Sequence, residues 1–152
     1  MKSALAIVST ITNLHDQGLI TKPHCKEILK IALWKLTTAE VSGKHRTRFC
    51  SEKVHEEPKQ HKLNHDHVQR CALAIERLME PNPKDALVSV ENMVGCTVTL
   101  DEHTKLTEAD RKHAAMIKSG KAKTELDGWD RYKRAGITVL DRSTEPPAKL
   151  FG

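Results

Sequence analysis

Five aromatic residues in 152 make this an aromatic-poor chain: two Phe, two Trp and one Tyr, or 3%. The core must therefore rest mainly on Leu, Ile, Val and Ala. The four cysteines, Cys25, Cys50, Cys71 and Cys96, stand more than twenty residues apart at each step, and no C-x-x-C pair occurs. That spacing argues against a zinc finger or ribbon. No apolar run approaches the ~18 residues that a membrane span needs. The apolar start at Leu5–Val8 breaks at Ser9-Thr10 and no small-x-small cleavage site follows. It is read as an amphipathic helix of a cytoplasmic, reduced protein rather than a leader. Internal repeats and low-complexity segments are also missing.

What is present is charge and histidine. Charged residues make up 30%, the net charge is +5, and there are nine histidines. The sequence pI is about 9.1. A basic balance of this kind favours a polyanionic partner. The length fits one domain, residues 1–152.

The order of elements follows from spacing. Residues 3–17 place Leu5, Val8, Ile11 with Thr12, and Leu14 with His15 on one helical side, and Gly18 stops the run. Thr21-Lys22-Pro23 opens a second helix to about Thr38, with Ile28, Ile31, Ala32, Trp34 or Lys35, and Leu36 as its stripe. Together they form an αα-hairpin over residues 1–41. A basic segment follows, Ser42 to Phe49, in which Arg46 and Arg48 are candidates to grip phosphates. Lys62–Val68 reads as a strand. Arg70–Met79 and Lys84–Asn92 read as two helices separated by Pro81-Asn82-Pro83. Val94–Leu100 is a β-branched, alternating strand. Asp101 caps a helix running toward Met116. A short helix at Asp127–Ala135, Gly136 at its C′ position and a last strand at Ile137–Asp141 complete residues 42–141. The tail, 142–152, with Pro146-Pro147, is expected to fray. The fold class is thus α+β, mostly helical.

The chemistry concentrates in Asn64-His65-Asp66-His67-Val68. On a strand, His65 and His67 share one face and Asp66 takes the other, unless the strand end re-aims one. A strand, a helical insertion, a second strand and then a helix bring Asp66 next to the first turn of that last helix. His103 stands there. One carboxylate and one imidazole suit one divalent cation, Mg²⁺, Mn²⁺, Ni²⁺ or Zn²⁺, with water in the open positions. His67 is the candidate general base and Asn92 a residue that orients it. His65 and Arg70 join Arg46 and Arg48 as candidate phosphate contacts. Asp101 or Glu102 would replace His103 if the helix began a residue off. His113 is expected on the surface. Trp129 and Tyr132 are expected on the core, with Arg131, Lys133 and Arg134 exposed.

This arrangement resembles the HNH, or ββα-metal, endonuclease family, over roughly residues 44–141. The residues that carry the resemblance are Asp66-His67-Val68, Asn92-Met93-Val94 and His103. It implies a ββα-metal unit with a helical insertion, and cleavage of phosphodiester bonds in DNA. By resemblance Asp66 and His103 are metal ligands, His67 the general base and Asn92 structural. Double-stranded DNA would be the partner, and a homodimer through the N-terminal hairpin would supply two sites for two strands. Two features depart from the family's pattern. Gln69-Arg70 follows Val68 where a proline is common, and the stretch from His67 to Asn92 is long. The alternatives are an inactive copy that keeps the fold as a nucleic-acid-binding or protein-interaction module, and a structural zinc protein using scattered His and Cys.

Overall fold

The structure, a computed structural model, describes residues 2–38, 45–80 and 84–151. The first residues of the basic segment (42–44) and the proline break (81–83) lie outside the described residues. The elements in chain order are α1 (Lys2–Asp16), α2 (Lys22–Thr38), β1 (Phe49–Ser51), α3 (Glu52–Glu56), β2 (Leu63–His67) and α4 (Cys71–Leu78). After these come α5 (Lys84–Glu91), β3 (Gly95–Thr99), α6 (Leu100–Lys118), α7 (Trp129–Ala135), β4 (Val139–Asp141) and β5 (Ala148–Phe151). The class is α+β and mostly helical. No helix among the described residues is long and apolar enough to cross a membrane.

The chain divides into two compact units, one from residues 1–43 and 69–94, the other from 44–68 and 95–152. The helical insertion between β2 and β3 therefore belongs with the N-terminal hairpin. In this first unit α1 packs on α2, and α4 on α2 and α5. Val8, Cys25, Leu29, Leu33 and Val90 are fully buried. Burying an aliphatic side chain of this kind contributes about 1.5–3 kcal/mol. Thr12 is buried too, its hydroxyl donating to Val8 O and Ser9 O at 3.2 and 2.9 Å, so the polar group carries no desolvation penalty. Gly18, at φ 71°, ends the hairpin's first arm.

The stripe of α2 is a correction. Ile28 and Ile31 face outward, at 38% and 62% exposure. The inward set is Cys25, Leu29, Ala32, Leu33 and Leu36. That set also obeys helical spacing and is longer by a turn, so it takes the core and leaves the two isoleucines on the shoulder.

The second unit is built on a five-stranded sheet of order β2-β3-β1-β4-β5. β1 runs parallel to β3, and every other neighbour is antiparallel. α6 packs on β2 and β3 and against α7. β2, β3 and α6 thus form a strand–strand–helix unit, with the helix starting at the residue after β3. Its cap is Thr99, not Asp101. Thr99 Oγ1 accepts from Glu102 N at 3.2 Å, and Glu102 Oε2 accepts from Thr99 N at 2.9 Å, a reciprocal capping box. On the opposite face, Cys50, Val54 and Leu140 form a small apolar cluster with Leu63 against it.

The tail does not fray. Thr144 Oγ1 donates to Asp141 O and Pro146 O and accepts from Ala148 N at 3.0 Å. Ser143 N donates to Asp141 Oδ1 at 2.9 Å. This turn delivers β5 to the edge of β4. β1, which sequence reading left in the basic segment, is only three residues long and takes its order from pairing on both sides.

Candidate functional site

β2 carries the histidine run, and its alternation sorts it. Asp66 lies opposite Cys96 in the β2–β3 register, His65 opposite Thr97 and His67 opposite Gly95. The His65 and His67 rings meet edge to face, with centroids 5.1 Å apart at 88°. The glycine opposite His67 leaves room for that imidazole. Asp66 points the other way, toward α6 and α7.

There the buried Asp66 carboxylate is held by three side chains. The Tyr132 hydroxyl donates to Oδ2 at 2.6 Å, and Arg131 Nη1 reaches the same oxygen at 3.2 Å. The other oxygen, Oδ1, faces His103 Nε2 at 3.7 Å. His103 is half-buried, with 37% of its side chain exposed, so the pair opens to solvent on the His103 side.

Arg131 is the hub of this cluster and corrects the expectation that it is exposed. It is buried at 5% exposure. Its Nε and Nη2 grip Asp110 at 3.0–3.2 Å, and Nη1 also donates to His67 O at 2.8 Å and Val68 O at 3.2 Å. A buried guanidinium is tolerated only when its donors are satisfied this fully. Burial alone would lower its pKa, but Asp66 and Asp110 outweigh that and hold it above the ordinary value. Two carboxylates, Asp66 and Asp110, thus share the one guanidinium of Arg131, and Asp66 Oδ1 is the oxygen left toward His103.

Tyr132 and Cys96 complete the buried wall. Burial pushes the Tyr132 hydroxyl well above its ordinary range, and the neighbouring Cys96 and Asp66 push it further. The Cys96 thiol is raised by burial first and then by Asp66. Both are proton-holding groups here, not nucleophiles.

The geometry fits a cation in part. Ligand bonds of about 2.0–2.2 Å to one metal place two donors roughly 3–4 Å apart, and Asp66 Oδ1 and His103 Nε2 at 3.7 Å fall in that interval. Among the described residues no group of three or more His, Cys, Asp and Glu is placed to hold a metal. Two protein donors with water in the other positions suit a hard octahedral ion better than a closed tetrahedral zinc cage. The structural-zinc alternative finds no ligand set among the described residues; all four cysteines are free. Glu102 does not compete as a ligand. It is buried and committed to the capping box and to the Ser51 hydroxyl at 2.6 Å.

The remaining candidates have surroundings of their own. His67 shares its face with His65, away from Asp66. Asn92 belongs to the other unit, and its Nδ2 donates to Val88 O at 2.9 Å, finishing the turn after α5. Arg48 makes a bidentate bridge to Asp141, with contacts from 2.6 to 3.1 Å. Its guanidinium is therefore committed within the fold. Arg46 is exposed, and Arg70 is half-buried at the start of α4. His65, a candidate phosphate contact, is buried at 7% exposure. His113 is buried rather than on the surface, and its Nε2–H donates to Thr124 O at 2.8 Å.

Arg131, Tyr132 and Asp110 are the functional-site residues that sequence reading missed. One signal was available: Asp110 stands seven residues after His103, on the same side of α6. Comparison with protein-family models, curated proteins and solved structures finds no match.

Proposed function

We propose that this chain is a metal-dependent endonuclease of ββα-metal type, in which Asp66 Oδ1 and His103 Nε2 hold one divalent cation. The observation that carries the reading is that 3.7 Å approach, made by residues thirty-seven apart across a strand–strand–helix unit. The Asp66–Arg131–Asp110 cluster supports it, because two carboxylates share one guanidinium and Asp66 Oδ1 is left toward His103. Mg²⁺ or Mn²⁺ with several waters fits the two-donor set best, ahead of Ni²⁺ and Zn²⁺. When bound, such an ion supplies charge neutralisation at a scissile phosphate and at the leaving oxygen. Tyr132 and Arg131 hold Asp66 so that one oxygen stays available. The family resemblance gives the proton-accepting role to His67, whose ring lies against His65 on the other face of β2. Double-stranded DNA is the substrate, the basic charge favours it, and a homodimer would serve two-strand cutting. The four reduced cysteines suit the cytoplasm.

One observation favours a second reading, a module that keeps the fold and binds nucleic acid or protein without cutting. His67 packs on His65, on the face of β2 away from Asp66. A base on that side does not reach a water near the Asp66–His103 pair.

Plasmid cleavage separates the two. The wild type should cut with Mn²⁺ or Mg²⁺ and stop with EDTA. Asp66→Asn and His103→Ala should abolish cutting while the thermal unfolding curve shows a folded chain. If both variants cut like wild type, the site is wrong. If His67→Ala alone still cuts, the metal pair stands and the base lies elsewhere. DNA binding with a steep salt dependence and no cutting under any metal establishes the second reading.

A further inference from the structure

On the other flank of α6 lies a hollow that the Asp66–His103 pair does not use. It has a volume of about 250 Å³ and is lined by Lys105, Glu108, Ala109, Lys112, Arg134 and Ala135. At ~100° per residue, Lys105 and Lys112 stand about half a turn around the helix from His103. Two alanines form its floor: Ala109, nearly buried on α6, and the half-buried Ala135 on α7. Small side chains there leave the space open. Three cations surround it from two different helices, and all three are exposed. Among the described residues Lys105, Lys112 and Glu108 enter no ion pair, although Glu108 lies within three and four positions of the two lysines. Arg134 Nη1 donates to the Met116 sulfur at 4.0 Å and, among the described residues, enters no ion pair. The lining carries three positive charges and one negative.

We infer that this hollow is an anion site that takes a phosphate group. Like charges gathered around one cavity repel each other, and an anion between them reverses the sign of that interaction. Lysine supplies point charges and arginine a planar fork, which together match a tetrahedral oxyanion. The volume falls below the range of drug-sized pockets and suits one or two phosphate groups. Glu108 sets the limit: its carboxylate weakens the site, so the site is selective for strongly charged oxyanions rather than for any anion. Phosphate of this kind comes either from a nucleic-acid backbone or from a free phosphorylated molecule. The inference stands whether or not Asp66 and His103 hold a metal.

The test uses the full chain in EDTA, with calorimetric titration of inorganic pyrophosphate and fluorescence anisotropy of a labelled DNA duplex. Lys105→Gln, Lys112→Gln and Arg134→Gln should each weaken binding of the preferred probe by about tenfold. Glu108→Gln should tighten it several-fold, and Lys53→Gln, on α3, should leave it unchanged. Preference for the duplex identifies the backbone as the source; preference for pyrophosphate identifies a free phosphorylated ligand. The inference is overturned if the wild type binds neither probe, if the three cation variants bind as wild type does, or if Glu108→Gln weakens binding. All four replaced side chains in the hollow are exposed, so loss of folding does not confuse the result.

Discussion

Tyr132 and Arg131, consecutive on α7, both reach one oxygen of Asp66, at 2.6 and 3.2 Å, and leave its other oxygen to His103. Two adjacent helix positions point about 100° apart. They converge only because Arg131 extends past the carboxylate to the ends of β2, while Tyr132 meets it from the core. The cluster is therefore as much a brace between α7 and β2 as a candidate site.

Removing one donor from this brace should be costly, and removing the guanidinium more so. Tyr132→Phe leaves Asp66 Oδ2 short of a buried hydrogen bond, worth about 1–3 kcal/mol. Arg131→Met takes its cation from the buried Asp66 carboxylate and its fork from the half-buried Asp110, with an expected loss of about 3–5 kcal/mol. Urea unfolding followed by Trp129 fluorescence, in a Trp34→Phe background, reads the second unit alone. Equal stability of Arg131→Met and the parent would show that the brace carries no net energy.

The start of α6 rests on the Thr99–Glu102 box. Thr99→Ala should cost about 1 kcal/mol. Glu102→Ala should cost more, because the buried Ser51 hydroxyl loses its acceptor as well. Amide hydrogen exchange in the first turn of α6 should speed up in both variants, and unchanged protection at Glu102 N would contradict the cap.

Alkali should unfold the second unit early. Cys96 and Tyr132 have ordinary pKa values of 9.0 and 10.0, and the fold raises both. The unfolded chain thus gives up these protons first, so their contribution is intact below about pH 9 and declines as pH rises. Burial raises the Cys50 thiol too, so Cys50→Ala combined with Cys96→Ala should move the onset of this decline upward by about one pH unit, toward the Tyr132 range. A melting temperature that stays flat from pH 8 to 11 in the wild type would rule the effect out.

Acid acts at the opposite end of the sheet. Hydrogen bonds from Arg48 hold the Asp141 carboxyl well below its ordinary 3.8. This lowered group stabilises the fold above about pH 4, and the gain fades as pH falls below that. Arg48 is 59% exposed, so solvent screens the bridge and the effect is modest. The measurement is therefore a slope: Arg48→Met should flatten the dependence of melting temperature on pH between 4 and 2.

The pairing of Asp66 with the first turn of α6 could be read from sequence because both rest on local rules. Strand alternation aimed Asp66 away from His65 and His67, and the β-branched run to Leu100 placed the helix start to within two residues, at Asp101 where Thr99 is the cap. The α2 core could not be read, since Ile28–Ile31 and Leu29–Leu33 obey the same period and only packing chooses between them. Arg131 was hidden for a different reason. A charged residue between Asp130 and Lys133 on a short helix looks solvated, and its burial depends on Asp66 and Asp110, 65 and 21 residues away. His113 was misplaced likewise, because its partner is a backbone carbonyl at Thr124 that no spacing rule indicates. β5 was lost behind Pro146-Pro147, whose turn is closed by Thr144 rather than by proline chemistry.

The insertion between β2 and β3 leaves and returns at neighbouring points. His67 and Gly95 are register partners at the end of the ladder, and one step beyond them Gln69 Oε1 accepts from Val94 N at 3.2 Å. The two crossings are thus a closed gate, and the twenty-six residues they enclose are topologically dispensable to the sheet. A two-residue Asn-Gly turn joining residue 68 to residue 94 would turn the pair into an ordinary hairpin. On this view the β2–β3 ladder closes without the insertion, whose helices complete the core of the first unit instead.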